Sequence, residues 1–248
     1  MRKIAVYSVA LLVCLIAGCK KDKPENKIYL LKEQLTDYRS IGGPIDTVAY
    51  TYDDQNRIIN INDGQPPRRS LSVSISYDNS NRISTARKYN NDGGLIIEYD
   101  FFYTPAATGY YFYNSNIADT ANFTFNEKRQ VIKIQSKHSG SEEYTYDSKG
   151  NIIVSEAFRG DGSNTLNDKV SYVYDDKKNP FSQTLPNNYF FMFIAFIDNH
   201  DVSSLVNNVV VRNADTYNYT YNSIGFPISG VAHTGTATIP IRYNYLVK

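Results

Sequence analysis

Apolar and aromatic residues alternate with polar ones in short stretches over most of the chain, and helical periodicity is largely absent after the N-terminal segment. Tyr50 and Tyr52, for example, stand two residues apart and would share one face of a strand. β-Branched and aromatic residues dominate these stretches, and turn signals recur every few residues. The pattern predicts β-strands joined by short turns, including strands at 96–103, 110–114 and 121–125 around a loop at 104–109.

A short, degenerate repeat marks seven of the turns. Each copy begins with an aromatic residue and then Asp or Asn: Tyr52-Asp53, Tyr77-Asp78, Tyr89-Asn90, Phe125-Asn126, Tyr146-Asp147, Tyr174-Asp175 and Tyr221-Asn222. An Asp or Asn side chain opens a turn because it can accept hydrogen bonds from the backbone N–H groups just ahead.

The fourth residue after each aromatic should close the turn. These positions hold Asn56, Asn81, Gly93, Arg129, Gly150, Lys178 and Gly225. Gly and Asn tolerate the positive φ that such a turn requires, so the repeat predicts a hairpin loop made of a type I turn and a left-handed residue. Arg129 and Lys178 depart from the pattern, and their turns should be strained or different.

The run at 189–197 is the most apolar part of the chain after the N-terminal segment, and it follows Pro186-Asn187-Asn188. Nine residues could form one buried strand, because periodicity does not decide so short a run. We favour a short helix or irregular segment at 187–198 that packs on the sheet. The alternative is a patch that binds a partner or contacts a membrane.

The fold class that follows is all-β, a long antiparallel meander of repeated hairpins. More than ten strands rarely stay in an open twisted sheet, and closure removes exposed edges. We therefore predict that the meander curls into a barrel. A membrane pore is disfavoured, because most strands look shorter than the 9–11 residues that span a bilayer and carry polar residues on their second face.

The first 19 residues have the layout of a secretory signal peptide. Arg2 and Lys3 precede an apolar run at 4–16, and Ala17-Gly18-Cys19 closes the segment. The run is too short for a spanning helix, which needs about 20 residues. The last five residues resemble the lipobox of bacterial lipoproteins, in which the cysteine is acylated with chains such as palmitate. We predict a signal peptide at 1–18, a lipidated polar tether at 19–27 and one β-hairpin-repeat domain at 28–248.

Charge and cysteine content limit the function classes. Removal of Arg2 and Lys3 from 26 basic residues leaves 24, beside 25 acidic residues. So balanced a charge lacks the excess of basic residues that is typical of nucleic-acid-binding proteins. Cys14 would be removed and Cys19 used by lipid, which leaves no disulfide.

No residues stand out as a catalytic or metal site, and we predict no cofactor. His138, His200 and His233 lack the spacing of metal ligands, and no serine lies in a Gly-x-Ser-x-Gly elbow. Loose Ca²⁺ binding by 53–54, 175–176 or 161–168 is a weaker interpretation than turns and a hairpin loop. The 22 Tyr and 12 Phe fit cross-strand packing better than ligand stacking.

The repeat resembles the YD or Rhs-type repeat, whose core reads Tyr-Asp-x-x-Gly-Arg. Arg57 and Arg82 match its arginine, with Asn in the glycine position. Over most of the chain the sequence resembles a family of envelope lipoproteins of unknown function with a porin-like fold. The Tyr-Asp turns, the segment 174–181, and 207–209 with 219–227 carry that resemblance. It implies a porin-like barrel and an envelope location, and it supplies no activity or catalytic residues.

The sequence therefore predicts a lipid-anchored protein of the outer membrane, on its periplasmic or outer face. The favoured function is a non-catalytic accessory module that binds a glycan, a peptide or another envelope protein. The alternatives are a structural or assembly scaffold and, last, an envelope hydrolase.

Overall fold

The computed structural model describes residues 27–64, 71–105, 107–114, 118–138, 140–163, 165–184 and 206–248. The predicted signal peptide, the lipid site at Cys19, most of the tether and the apolar segment at 187–198 lie outside the described residues. His200 lies outside them as well.

Sixteen strands form in the described part of the chain. They are β1 (Tyr29–Asp37), β2 (Ile45–Tyr52), β3 (Ile58–Asp63), β4 (Leu71–Tyr77), β5 (Ile83–Tyr89), β6 (Leu95–Tyr103), β7 (Thr108–Asn114), β8 (Ala118–Phe125), β9 (Val131–Ser136), β10 (Ser141–Tyr146), β11 (Ile152–Phe158), β12 (Leu166–Tyr174), β13 (Val209–Arg212), β14 (Asp215–Tyr221), β15 (Pro227–Thr234) and β16 (Ala237–Val247).

Each strand pairs antiparallel with its neighbours in sequence, and β16 pairs with β1 to close the barrel. The predicted all-β meander that curls into a barrel is confirmed. The three strands predicted at 96–103, 110–114 and 121–125 are β6, β7 and β8. They begin one, two and three residues earlier than predicted, at Leu95, Thr108 and Ala118. A short 3-10 helix, Tyr38–Ile41, joins β1 to β2 and was not predicted.

The inward face of the wall forms one apolar cluster. The strand register places its members opposite one another, as with Ile61 and Val73 or Ala86 and Tyr99. Both rings of the pair Tyr99 and Tyr110 are almost fully buried, and their centroids lie 5.2 Å apart. The inward side chains therefore pack as a core and do not line a wide aqueous channel along the described strands.

The outward face is largely polar. Ser72, Ser74 and Ser76 alternate with the buried residues of β4. Charged residues pair across neighbouring strands, as between Lys133 and Glu143 or Lys169 and Glu156, each at 2.8 Å. This order of polar outside and apolar inside is the reverse of that in transmembrane barrels, where an apolar band faces lipid.

The two ends of the barrel differ. Six of the seven repeat turns lie at one end, together with the start of β1 and the end of β16; we call it the turn end. The seventh, after Tyr89, lies at the opposite loop end, because the single strand β5 separates it from the turn after Tyr77. The loop end also carries the 3-10 helix and the connection between β9 and β10.

Candidate functional site

The repeat turns share one hydrogen-bond pattern. Asp53 Oδ1 accepts from the N–H groups of Gln55 at 3.0 Å and Arg57 at 2.9 Å, and the backbone N–H of Asp53 donates to the Arg57 carbonyl at 3.0 Å. Asp78, Asn90, Asn126, Asp147 and Asn222 make the same side-chain contacts two and four residues ahead. These carboxylates and amides are therefore occupied by their own turns.

The closing position of these turns has positive φ. The values are 63° at Asn56, 62° at Asn81, 77° at Gly93, 60° at Arg129, 98° at Gly150 and 89° at Gly225. Arg129 thus adopts the same turn as the glycines, in a conformation that disfavours a side chain with a Cβ atom. The expected difference appears at Lys178 instead.

The turn that begins at Asp175 is completed by a residue far along the chain. The Asp175 N–H donates to the Asn208 carbonyl at 3.0 Å, and the Asn208 N–H donates to Asp175 Oδ1 at 3.1 Å. Asn208 therefore plays the part in the Asp175 turn that Arg57 plays in the Asp53 turn. The 32 residues between Asp175 and Asn208 (176–207) are an insert in this hairpin. Two segments that carry the family resemblance, 174–181 and 207–209, meet here.

A set of tyrosine hydroxyls ties neighbouring hairpins together at the turn end. Each hydroxyl donates to a carbonyl on a nearby strand, at 2.6 to 2.9 Å: Tyr52 to Leu31, Tyr77 to Ile58, Tyr103 to Ile83, Tyr146 to Val131, Tyr174 to Ile152 and Tyr245 to Pro227. We call these the tyrosine clasps. Burial raises the pKa of Tyr52, Tyr77 and Tyr146, so their hydroxyls stay protonated as donors.

Two arginines of the repeat join consecutive hairpins. Arg57 pairs with Asp53 of its own turn at 2.6 Å, and its guanidinium lies 4.4 Å from the centroid of the Tyr77 ring in the next hairpin. Arg82 likewise pairs with Asp78 of its own turn, and its guanidinium lies 4.2 Å from the centroid of the Tyr103 ring. These arginines therefore serve the barrel wall.

A cavity of about 300 Å³ remains inside the barrel between β12–β16, β1 and β2. Phe181 of the insert closes it towards the turn end, with its ring centroid 5.1 Å from that of Tyr50. Six tyrosines line it: Tyr38, Tyr50, Tyr172, Tyr217, Tyr219 and Tyr243. Its volume is near the lower limit of small-molecule sites, about 300 Å³.

Polar residues line both ends of this cavity, with Asn179 and Asn208 beside Phe181 at the turn end. Gln34, Thr36, Thr234 and Arg212 line the part towards the loop end and are half-buried, whereas Phe181 at the other end is buried. The cavity thus opens, as far as the described residues show, at the loop end. Aromatic walls with a few polar groups at the opening suit a ligand with a flat body and a polar head.

A second concavity, of about 590 Å³, lies at the loop end beside β9, β10 and the connection after β11. His138 lines it, and its Nδ1 is 3.2 Å from Oδ1 of Asp119. The Ser136 hydroxyl donates to the other oxygen of Asp119, which also accepts from the His138 backbone N–H at 3.0 Å. Burial raises the pKa of Asp119, yet these hydrogen bonds outweigh it and hold the value at about 2. The carboxylate anchors the β9–β10 connection to β8.

Glu142 faces inward beside this concavity. Its carboxylate accepts a hydrogen bond from the Tyr144 hydroxyl. Burial raises the pKa of Glu142, and the neighbouring Asp168 raises it further, while the Tyr144 bond lowers it in part. His233 stands apart from this group, with its ring Nδ1 3.3 Å from the Thr238 hydroxyl. Among the described residues, the hydrolase alternative thus has one His–carboxylate pair near a serine, and it stays a prediction.

An aromatic patch lies on the outward face of β6 and β7. Phe102 and Tyr111 have ring centroids 4.8 Å apart, and Tyr113 and Ile96 are exposed on the same strands. A Cβ atom at Gly109 would meet Phe102 Cζ at 2.8 Å, so the Phe102 ring lies over that glycine. We call Ile96, Phe102, Tyr111 and Tyr113 the outer aromatic patch.

Other site types receive no support from the described residues. No group of three or more His, Cys, Asp or Glu side chains in that part of the chain is placed to hold a metal ion. None of its helices is both long enough and apolar enough to cross a membrane.

Sequence reasoning found the repeat turns and missed the contacts between them. The hydroxyls of Tyr103 and Tyr245 belong to the clasps, although neither residue begins a recognisable repeat. The sequence feature that could have identified them is an aromatic residue at an inward-facing position near the end of an even-numbered strand. The cavity and its closure by Phe181 had no signal, because both depend on contacts of 179–181 with strands that are distant along the chain.

One of the comparisons with known proteins bears on the fold. No family model matches the chain, and no curated protein matches it. A solved porin-like protein from Bacteroides uniformis is similar with a TM-score of 0.56 and 12% identity, over 87% of this chain and 98% of that one. The Tc holotoxin pore of Photorhabdus luminescens matches with a TM-score of 0.24 and 13% identity, over 81% of this chain and 13% of that one. The first likeness shows that the chain has a porin-like barrel fold.

Proposed function

We propose that this protein is a lipid-anchored binding protein of the bacterial cell envelope whose barrel stands outside the bilayer. The N-terminal segment that ends at Cys19 supports the anchor, and an envelope location fits a porin-like fold. The polar outward face supports a position outside the lipid, since a spanning barrel needs an apolar band. The packed inward face supports a role other than that of an open pore.

The observation that carries the binding function is the tyrosine-lined cavity with its opening at the loop end. Its size suits one sugar ring or one flat side chain of a peptide, with the polar head of the ligand near Arg212 and Gln34. We propose no catalytic role, cofactor, metal or nucleic-acid partner.

The binding function is tested by a substitution that blocks the opening of the cavity. Thr234→Trp places a large ring at the half-buried opening, and Thr124→Trp places the same ring on the exposed outward face of β8 as the matched control. The mature domain and both variants are applied to arrayed glycans and arrayed peptides. Wild type and Thr124→Trp should bind the same probes and Thr234→Trp should lose them; equal binding by a folded Thr234→Trp protein would exclude the cavity.

A scaffold role is the second candidate, and the outer aromatic patch favours it. Most inward tyrosines are buried or half-buried against the core, while Tyr111 and Tyr113 are each 44% exposed. Tyr111→Ser with Tyr113→Ser should then abolish capture of a protein partner from envelope extract, while Thr234→Trp leaves it intact. A clear protein partner together with no binding on either array would favour the scaffold over the cavity.

A further inference from the structure

The chain leaves the barrel at the turn end. The backbone N–H of Ile28 donates to the Lys248 carbonyl, and the Lys248 N–H donates to the Ile28 carbonyl, each at 3.0 Å. These bonds fix the start of β1 beside the end of β16, at the turn end. Any anchor upstream of residue 28 therefore pulls on that end of the barrel.

The proposed tether is short compared with the wall. Residues 19–27 span at most about 30 Å when fully extended. A nine-residue strand such as β1 is about 30 Å long, and the usual tilt reduces its rise along the barrel axis to about 20–25 Å. To bring the loop end to the bilayer, the tether would have to run back along nearly the whole wall. The turn end needs no such path.

The turn end also presents basic side chains in adjacent turns. Lys128 and Arg129 are exposed in the turn between β8 and β9, and Lys149 is exposed in the turn between β10 and β11. No carboxylate among the described residues forms an ion pair with these three. Three carboxylates of the described residues lie near these basic side chains. Asp147 is held by the N–H groups of its own turn, at 2.8 and 2.9 Å. Glu127 is exposed, and Asp176 pairs with Lys177 at 2.9 Å while also interacting electrostatically with Lys149.

We propose that the turn end is the membrane-facing surface of the protein, with Lys128, Arg129 and Lys149 at the phosphate groups of anionic lipid. Basic residues close to a bilayer are attracted to anionic headgroups over about one Debye length. The cavity opening, the second concavity and the loops of the loop end then face away from the bilayer. This orientation rests on the proposed lipid anchor.

The test uses the full lipidated protein in vesicles of phosphatidylethanolamine and phosphatidylglycerol that contain a nitroxide-headgroup lipid. Ser223→Cys at the turn end and Thr236→Cys at the loop end flank the same strand, β15, and both residues are exposed. With Cys14 removed and Cys19 acylated, each variant has one free thiol for a fluorescent label. The label at 223 should be quenched several-fold more strongly than the label at 236.

Equal quenching, or stronger quenching at 236, would overturn the orientation while leaving the anchor in place. Wild-type protein that fails to float with the vesicles would overturn the anchor and the orientation together, with Cys19→Ala as the unanchored reference. The combined variant Lys128→Glu, Arg129→Glu and Lys149→Glu should reduce quenching at 223 in these vesicles and leave it unchanged in phosphatidylcholine vesicles. Equal quenching with and without the three substitutions would overturn the role of the basic side chains.

Discussion

Tyr77 shows how one hydroxyl contributes to the wall. Its hydrogen bond to the Ile58 carbonyl is 2.7 Å long, and the Arg57 guanidinium stacks over its ring. Tyr77→Phe keeps the ring and leaves the carbonyl without this donor, so we expect a loss of about 1–2 kcal/mol in the free energy of unfolding. Urea denaturation measures it. Tyr111→Phe on the outward face should change stability by less than about 0.5 kcal/mol; an equal loss there would contradict the clasp.

Arg129 and Gly225 hold equivalent positions in two turns, with φ of 60° and 89°. Gly225→Ala should lower the free energy of unfolding by about 1 kcal/mol, and the cause would be the backbone alone, since nothing lies within 4 Å of the added Cβ. Arg129→Gly should raise it by about 0.5 kcal/mol, because released strain exceeds the added freedom of the unfolded chain. A loss of stability in Arg129→Gly would show that its side chain matters more than its backbone.

Glu142 should make stability depend on pH. Its pKa is raised in the folded state, chiefly by burial. The raised pKa stabilises the folded protein, and this contribution is fully present when the pH is below the ordinary pKa of about 4.3. That contribution is lost as pH rises through the raised pKa. Glu142→Gln keeps an acceptor for Tyr144 and carries no charge. Its melting temperature should therefore exceed that of wild type more at about pH 8 than at about pH 4; a constant difference would contradict a buried ionisable Glu142.

At the scale of elements, we predict that the barrel folds without the insert between Asp175 and Asn208. Asp175 and Asn208 make the bonds that Asp147 and Asn151 make across three residues. Replacing 176–207 with Ser-Lys-Gly, the sequence of 148–150, should leave a folded barrel with unchanged far-ultraviolet circular dichroism. An aggregated or unfolded product would show that the barrel requires the insert.

The insert also supplies the buried ring of Phe181, whose loss has its own cost. Phe181→Ala in the full chain should lower the free energy of unfolding by about 3 kcal/mol, with the insert still present. Comparison of the two variants by urea denaturation separates the ring from the segment. Similar losses would mean that Phe181 is the main stabilising contact of the insert.

At the scale of the whole molecule, the barrel consists of eight pairs of strands that meet at the turn end. Seven pairs are hairpins, and the eighth, β16 with β1, lacks a connecting turn because it joins the two ends of the barrel sequence. The six clasps include Tyr52 to Leu31 and Tyr245 to Pro227, on either side of that seam. We expect that a short turn from Lys248 to Ile28, with new termini between Gly235 and Thr236, gives a folded circular permutant. Its melting temperature should lie near that of the parent, measured by circular dichroism; failure to fold would mean that the seam is unlike the other hairpins.

Much of this architecture could be predicted, because its information is local. The alternation around Tyr50 and Tyr52 predicts strands, and an Asp or Asn with a Gly or Asn three residues later predicts five of the seven repeat turns. Enough such hairpins in a row must close or expose edges, so the barrel also follows. Apart from the turn after Tyr89, the connections at the loop end lack the repeat, and the 3-10 helix at Tyr38–Ile41 among them was not predicted.

The sequence by itself determined the strands, the turn chemistry and the predicted lipid site, because each depends on residues within a few positions of one another. Only the tertiary structure decided that Asn208 closes the Asp175 turn, that tyrosine hydroxyls bond across hairpins, and that Phe181 closes a cavity. It also decided that the start of β1, which follows the predicted tether, lies at the same end as six of the seven repeat turns. These features depend on closure of the ring, which brings together residues that are distant along the chain and whose spacing in sequence carries no sign of contact.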